Sequence, residues 1–167
     1  MQSFRVIKPT AALVPYVRHY WVLSDDALAP VSERTLPVGC VQMVFHRGRQ
    51  LFSLTEGRLQ PSSFISGQAF GYSDVESTGM LEMIVVVFQP FAAKAFLHMP
   101  VSEFRGMNVN TEETGDPLLV DLGRRIADMP DRVACIRLIE EFLLSRLYAF
   151  PEYNLKRDRK STRLNSS

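Results

Sequence analysis

The stretch that decides the fold is "GMLEMIVVVFQPFAAKAFLHMP", residues 79–100. Its first half holds an unbroken apolar run, Ile84, Val85, Val86, Val87 and Phe88, rich in β-branched side chains. Such a run predicts a strand buried on both faces. At Pro90 the pattern changes. Pro90 stands where a first helical position would be, good helix formers follow, and Pro100 is the stop, so a helix is expected over 90–100. A change from strand to helix at one residue divides the chain into a β-rich first part and a helical second part.

The sequence on either side follows this division. Upstream, "RHYWVLS" (18–24), "CVQMVFHR" (40–47), "QLFSL" (50–54) and "SSFISG" (62–67) are short β-branched or aromatic runs separated by Gly, Pro, Asp or Ser. Gly48 lies between two of them, which suggests a tight hairpin. Downstream, "GDPLLVDLGRRIADMP" (115–130) offers Asp116 as N-cap, Pro117 at the first helical position and Pro130 as terminator. Asp131 then caps "RVACIRLIEEFLLSRLYAF" (132–150), where Ile136, Ile139, Leu143, Leu147 and Phe150 line one face. Cys135, Leu138 and Phe142 widen that stripe beyond what one contact needs. Strands first and helices afterwards is the α+β pattern. The expected parts are a β-rich part over 1–89 and a helical subdomain packed on it over 90–152.

Composition sets bounds on function. The 167 residues are 46% hydrophobic and 22% charged, as in an ordinary globular domain, and a chain of this length can bury about 70% of its unfolded surface. The net charge is +1, but three of the basic side chains, Arg159, Lys160 and Arg163, fall in the last ten residues with one acidic group, Asp158. Residues 1–157 therefore carry 16 basic and 17 acidic groups, against 19 and 18 in the whole chain. A nearly neutral body lacks the clustered Lys and Arg that a phosphate backbone requires. Cys40 and Cys135 have no ligand spacing and read as buried small hydrophobes in a reducing compartment. The first residues show no apolar leader and no run is long enough to span a bilayer, so the expected location is the cytoplasm, with no membrane partner.

Few motifs carry chemistry. His19, His46 and His98 are scattered without metal-ligand spacing, so no metal and no cofactor is expected. Neither cysteine sits in a nucleophile elbow, and the acidic pairs are adjacent in sequence, where side chains diverge. No catalytic constellation emerges, and the chain reads as a non-enzyme. The unusual feature is aromatic: Trp21, the sole tryptophan, with Tyr16 and Tyr20, either as a core anchor or as a stacking platform.

Four segments together resemble the N-terminal domain of AraC-type bacterial transcription regulators. They are "VPYVRHYW" (14–21), "LPVGCVQMVFHRG" (36–48), "FISGQ" (64–68) and "MIVVVFQPFAAKAFLHMPVSEF" (83–104). The positions that carry the likeness are Trp21, Pro37, Gly39, Cys40, Phe45, Gly67, Phe88, Pro90 and Ala93. The resemblance covers residues 8–157 and implies a small antiparallel β-barrel or half-barrel, cupin-like, before the helical subdomain. It implies that the domain senses a small-molecule effector or mediates homodimerisation, and that DNA is bound only by a C-terminal helix-turn-helix half that is missing from this chain. "YNLKR" (153–157) resembles the start of the connector to that half. The candidate ligand-binding residues are Tyr20, Trp21, Met43 and His46; the candidate dimerisation residues are Ile136, Ile139, Leu143 and Leu147. "DRKSTRLNSS" (158–167) resembles sequencing-adapter DNA translated in frame and is excluded from the fold. The rival reading is a stand-alone ligand-binding or enzymatic cupin-like barrel, and convergent polar groups in a pocket would favour it.

Overall fold

A computed structural model describes residues 2–26, 32–35, 40–67, 73–77, 79–97 and 108–149. It has the expected α+β order. Strands β1 (Gln2–Ile7), β2 (Val17–Asp25), β3 (Ser32–Thr35), β4 (Gln42–His46), β5 (Phe52–Ser53), β6 (Arg58–Leu59), β7 (Ser63–Ser66), β8 (Ser73–Glu76), β9 (Leu81–Phe88) and β10 (Asn108–Asn110) precede helices α1 (Pro117–Asp128) and α2 (Arg132–Ala149). A six-stranded antiparallel sheet runs in the order β1-β2-β9-β4-β7-β10, and a four-stranded one in the order β3-β8-β5-β6. Both sheets are open among the described residues, so the arrangement is not a closed barrel. β10, from the second part of the chain, pairs with β7 and extends the first sheet.

The run 84–88 forms β9, which is central because both its faces find apolar partners. Ile84, Val86 and Phe88 enter one cluster with Leu119, Leu122 and Ile126 of α1 and with Ile139 and Leu143 of α2. Leu81, Met83, Val85 and Val87 enter a second cluster with Leu51, Phe64 and Val75. The first sheet thus has a helix face and a far face. Directly opposed residues of antiparallel strands point the same way, so the pairing register assigns every row. Tyr20, Val86, Met43 and Ile65 form one row on the helix face. Trp21, Val85, Val44 and Phe64, one residue along, form the next row on the far face.

The helix starts follow their caps. The Asp116 carboxylate accepts from Leu119 N at 3.3 Å with Pro117 at the first position, and Asp131 Oδ1 accepts from Val133 N at 3.1 Å. These bonds satisfy amides that the helix itself cannot. α1 then lies close on β7. A Cβ at Gly123 would stand 2.5 Å from Ser63 Oγ, so only glycine permits this approach. Ser63 in turn is hydrogen-bonded to Thr111 at 2.6 Å.

Three expectations are corrected. Gly48 does not turn a hairpin: β4 pairs with β7 and β9, while β5 pairs with β6 and β8 in the other sheet. Arg47 N and Arg49 N instead donate to Glu82 O and Met80 O, continuing the contact with the β9 strand. A Cβ at Gly48 would come within 2.6 Å of Met80 O, so the glycine serves that contact. Second, Pro90 begins no α-helix: within 90–97 there is only a 3-10 turn, Ala93–Ala95, after an exposed Phe91 in the left-handed region at φ 64°. Residues 98–107 lie outside the described residues. Third, the interior closes around Phe45, Ile84, Val86 and Phe88 as expected, but not around Trp21, which sits half-buried on the opposite face.

Candidate functional site

On the helix face the polar groups are used for structure. The Tyr20 hydroxyl donates to Glu140 Oε2 of α2 at 3.1 Å, and Thr10 N donates to the same oxygen at 3.0 Å. Burial, reinforced by the Glu140 charge and hydrogen bond, pushes the Tyr20 hydroxyl far above its ordinary range. Arg47 ties β9 to the helices by hydrogen bonds to Glu82 and to Met129 O, while Arg132 Nε meets Glu82 at 2.9 Å. Ile139, Leu143 and Leu147 have no exposed surface and Ile136 has little. The α2 stripe named for a partner is thus packed within the domain.

The far face differs in character. One row reads His19, Val87, Gln42, Ser66 and Asn108 across five strands, a polar row interrupted only by Val87. The adjacent row contains Trp21 and Phe64. His19 stacks on Trp21 with ring centroids 5.2 Å apart and planes 27° apart, and Phe4 meets the same indole at 6.0 Å. His19 Nε2 and Gln42 Nε2 are closed off from solvent yet have no hydrogen-bond partner. A shielded, unpaired polar nitrogen costs about 1–3 kcal/mol, and two on one row mark a place where the fold leaves bonding capacity unused. Burial, and then the Arg18 guanidinium beside it, holds His19 below its ordinary 6.5 and so favours the neutral ring.

His46 lies on the same face but is a structural group. Its Nδ1 donates to Pro61 O at 3.1 Å and its Nε2 accepts from Leu51 N at 3.4 Å, which fixes one neutral tautomer and joins β4 to the segments before β5 and β7. Burial depresses its pKa below 6.5, outweighing the opposite pull of the Pro61 and Ser62 backbone. The unfolded chain therefore takes up a proton that the fold excludes. Stability present above pH 6.5 is expected to fall as the pH drops below it, by up to about 1.4 kcal/mol per pH unit for this group. Urea unfolding at several pH values checks this: His46→Gln should flatten the slope, leaving the part due to His19. An unchanged slope would contradict the assignment.

The four sequence candidates therefore do not share a pocket. Tyr20 and Met43 face the helices in one row; Trp21 and His46 face away, in different rows. Cys40 and Gly67 are buried. Pro37 and Gly39 lie outside the described residues, as do the connector 153–157 and the tail. Sequence reasoning missed His19 and Gln42. Stepping by two from Trp21 reaches His19, and the same step along "CVQMVFHR" gives Gln42, Val44 and His46. A cleft of about 470 Å³ between β7 and α1, lined by residues including Ser62, Thr111 and Arg124, contains no unpaired buried polar atom, and Arg124 meets Glu112 at 3.4 Å. Among the described residues no three His, Cys, Asp or Glu side chains gather as a metal would require, and no helix is long and apolar enough to cross a membrane.

Fold and site together define an α+β domain in which helices cover one face of an open antiparallel sheet and the other face carries aromatic and unpaired polar groups. Residues 5–110 match the family described as a domain of unknown function, DUF6597. The match covers more than half of the chain, and the chain belongs to that family. No curated protein matches it.

Proposed function

We propose that this domain is the effector-sensing half of an AraC-type transcription regulator, with no enzymatic activity of its own, in which the far face of the larger sheet receives a small molecule. The observation that carries the reading is the pairing of Trp21 with the unbonded nitrogens of His19 and Gln42 on a face free of the helices. Binding sites combine an apolar or aromatic surface with a few placed polar groups. Homodimerisation remains part of the proposal, but through a surface other than the buried stripe of α2.

DNA reading is assigned to a further domain. The one adjacent basic pair within a described helix, Arg124 and Arg125, is offset by Glu112 at 3.4 Å and Asp121 at 3.9 Å. A recognition helix needs basic groups free for phosphates. The present chain, titrated at moderate salt against its own promoter region, should show no sequence-specific binding, while a protein extended through a helix-turn-helix half should bind. Tight, sequence-dependent binding by the chain as it stands would contradict the proposal.

A further inference from the structure

We infer that the far face selects an uncharged planar aromatic molecule bearing a hydrogen-bond acceptor, gripped by Trp21, His19 and Gln42. The inference rests on the sensing role proposed above and names the chemistry of its ligand. Four observations lead to it.

The first is the surface for a flat ring. Trp21 is half-buried, stacked with His19, and bordered on the β1 side by Phe4 and Val6, which are each more than half exposed. Val6 lies directly opposite Trp21 in the register and Phe4 opposite Leu23, so these apolar side chains stand on the same face. An aromatic ring gains most here because it adds a ring contact to the burial of apolar area.

The second is the pair of unused nitrogens. His19 and Gln42 are opposite Val87 on its two sides, which places their Cα atoms about 10 Å apart across β9, within the combined reach of the two side chains. Both residues are partly exposed, yet their Nε2 atoms are neither solvated nor bonded. Turning either side chain toward a ligand breaks no existing bond at that nitrogen and makes one, so the exchange favours binding.

The third is the kind of partner these nitrogens accept. The carboxamide nitrogen of Gln42 is a donor only, and so requires an acceptor oxygen or nitrogen. His19 Nε2 accepts or donates according to its tautomer, so it matches either a second acceptor or an N–H.

The fourth is charge. The far-face side chains of β2, β4 and β7 are His19, Trp21, Leu23, Asp25, Gln42, Val44, His46, Phe64 and Ser66, and the one permanent charge among them is the negative one of Asp25, four residues along β2 from Trp21. With both histidines held toward neutrality and Asp25 on the same face, a carboxylate or phosphate would be desolvated there with no cation among these side chains, the Arg18 guanidinium near His19 belonging to an exposed residue. An uncharged amide or carbonyl group on an aromatic ring meets all four conditions.

The sole tryptophan makes the test direct, because its emission comes from the site itself. The full chain is titrated with benzamide, benzoate, cyclohexanecarboxamide and glucose while Trp21 emission is followed. The expected result is a saturable change with benzamide, with each of the other probes at least about tenfold weaker. Gln42→Leu, which keeps side-chain bulk but removes the donor, should weaken benzamide by about tenfold or more. His19→Phe retains a ring against Trp21 and should weaken it while leaving the fold intact by circular dichroism; it decides the matter if Gln42→Leu does not fold. Benzoate or glucose binding as tightly as benzamide would overturn the ligand class while leaving a sensing face in place. Benzamide binding unchanged by both substitutions would overturn the role of these residues. No saturable response of the folded wild type to any of the four would overturn the inference, and the promoter titration with the extended protein would then judge the regulator reading separately.

Discussion

Arg146→Ala is expected to cost about 3–5 kcal/mol of folding stability, the usual consequence of stripping one partner from a buried ion pair. Arg146 and Asp116 are 6% and 8% exposed. Arg146 Nη2 donates to Asp116 Oδ1 at 2.6 Å, Nη1 donates to Phe96 O at 3.2 Å, and the guanidinium carbon lies 4.7 Å from the centre of the Phe142 ring. The same Asp116 oxygen caps α1 through Leu119 N. One side chain of α2 therefore holds the start of α1 and the turn after β9. Removing it leaves the Asp116 carboxylate buried without its cation, and leaves Phe96 O without that donor. Arg146→Met keeps the apolar stem but not the charge and should cost nearly as much. Adding Asp116→Ser, which removes the stranded carboxylate and keeps a capping oxygen, should recover part of the loss. By contrast Arg132→Ala, at the exposed Arg132–Glu82 pair, should cost no more than about 1 kcal/mol. Urea unfolding of the four variants checks the series; an Arg146→Ala loss no larger than that of Arg132→Ala would show that the pair does not hold the helices.

What the sequence reveals depends on how local the cause is. β9 is legible because burial on both faces leaves a continuous apolar run. The starts of α1 and α2 are legible because Asp116, Pro117 and Asp131 act within one helical turn. Gly48 and Pro90 mislead for the opposite reason. The glycine answers to Met80 O more than thirty residues away, and the proline follows a strand whose exit continues through a left-handed Phe91 into a single 3-10 turn. The short strands β5, β6 and β10 have two or three residues each, too few for any period to show. β1 is an edge strand whose exposed Phe4 and Val6 mimic an ordinary leading segment. The candidate site was legible in composition but not in grouping. Tyr20 and Trp21 form one aromatic cluster along the chain, and the strand's period of two sends them to opposite faces. Likewise, the width of the α2 stripe suggests a partner surface, whereas the domain consumes it: Cys135, Leu138, Ile139 and Leu143 are all buried against the sheet, α1 or the segments around them.

The second large effect falls on Tyr20, and its contrast with Trp21 bears on the proposal that Tyr20 holds the fold while Trp21, on the other face of the same strand, is free to meet a ligand. Tyr20 is 0% exposed, lies between Ile7 and Val86 in its row, and donates to Glu140 at 3.1 Å. Tyr20→Ala removes a full aromatic from the main core and takes a donor from Glu140, so a loss of about 3–5 kcal/mol is expected. Trp21 is larger, but it is half-buried and packs against the second cluster from outside it, beside Phe4 and His19. Trp21→Ala should cost about 1–2 kcal/mol, in proportion to the apolar area it buries. The most direct test is the difference in unfolding free energy between Tyr20→Ala and Trp21→Ala, measured in urea by far-ultraviolet circular dichroism because the second variant has no tryptophan. Tyr20→Ala is expected to be the less stable by about 2 kcal/mol or more; equal losses, or a larger loss at Trp21, would contradict these roles for the two residues.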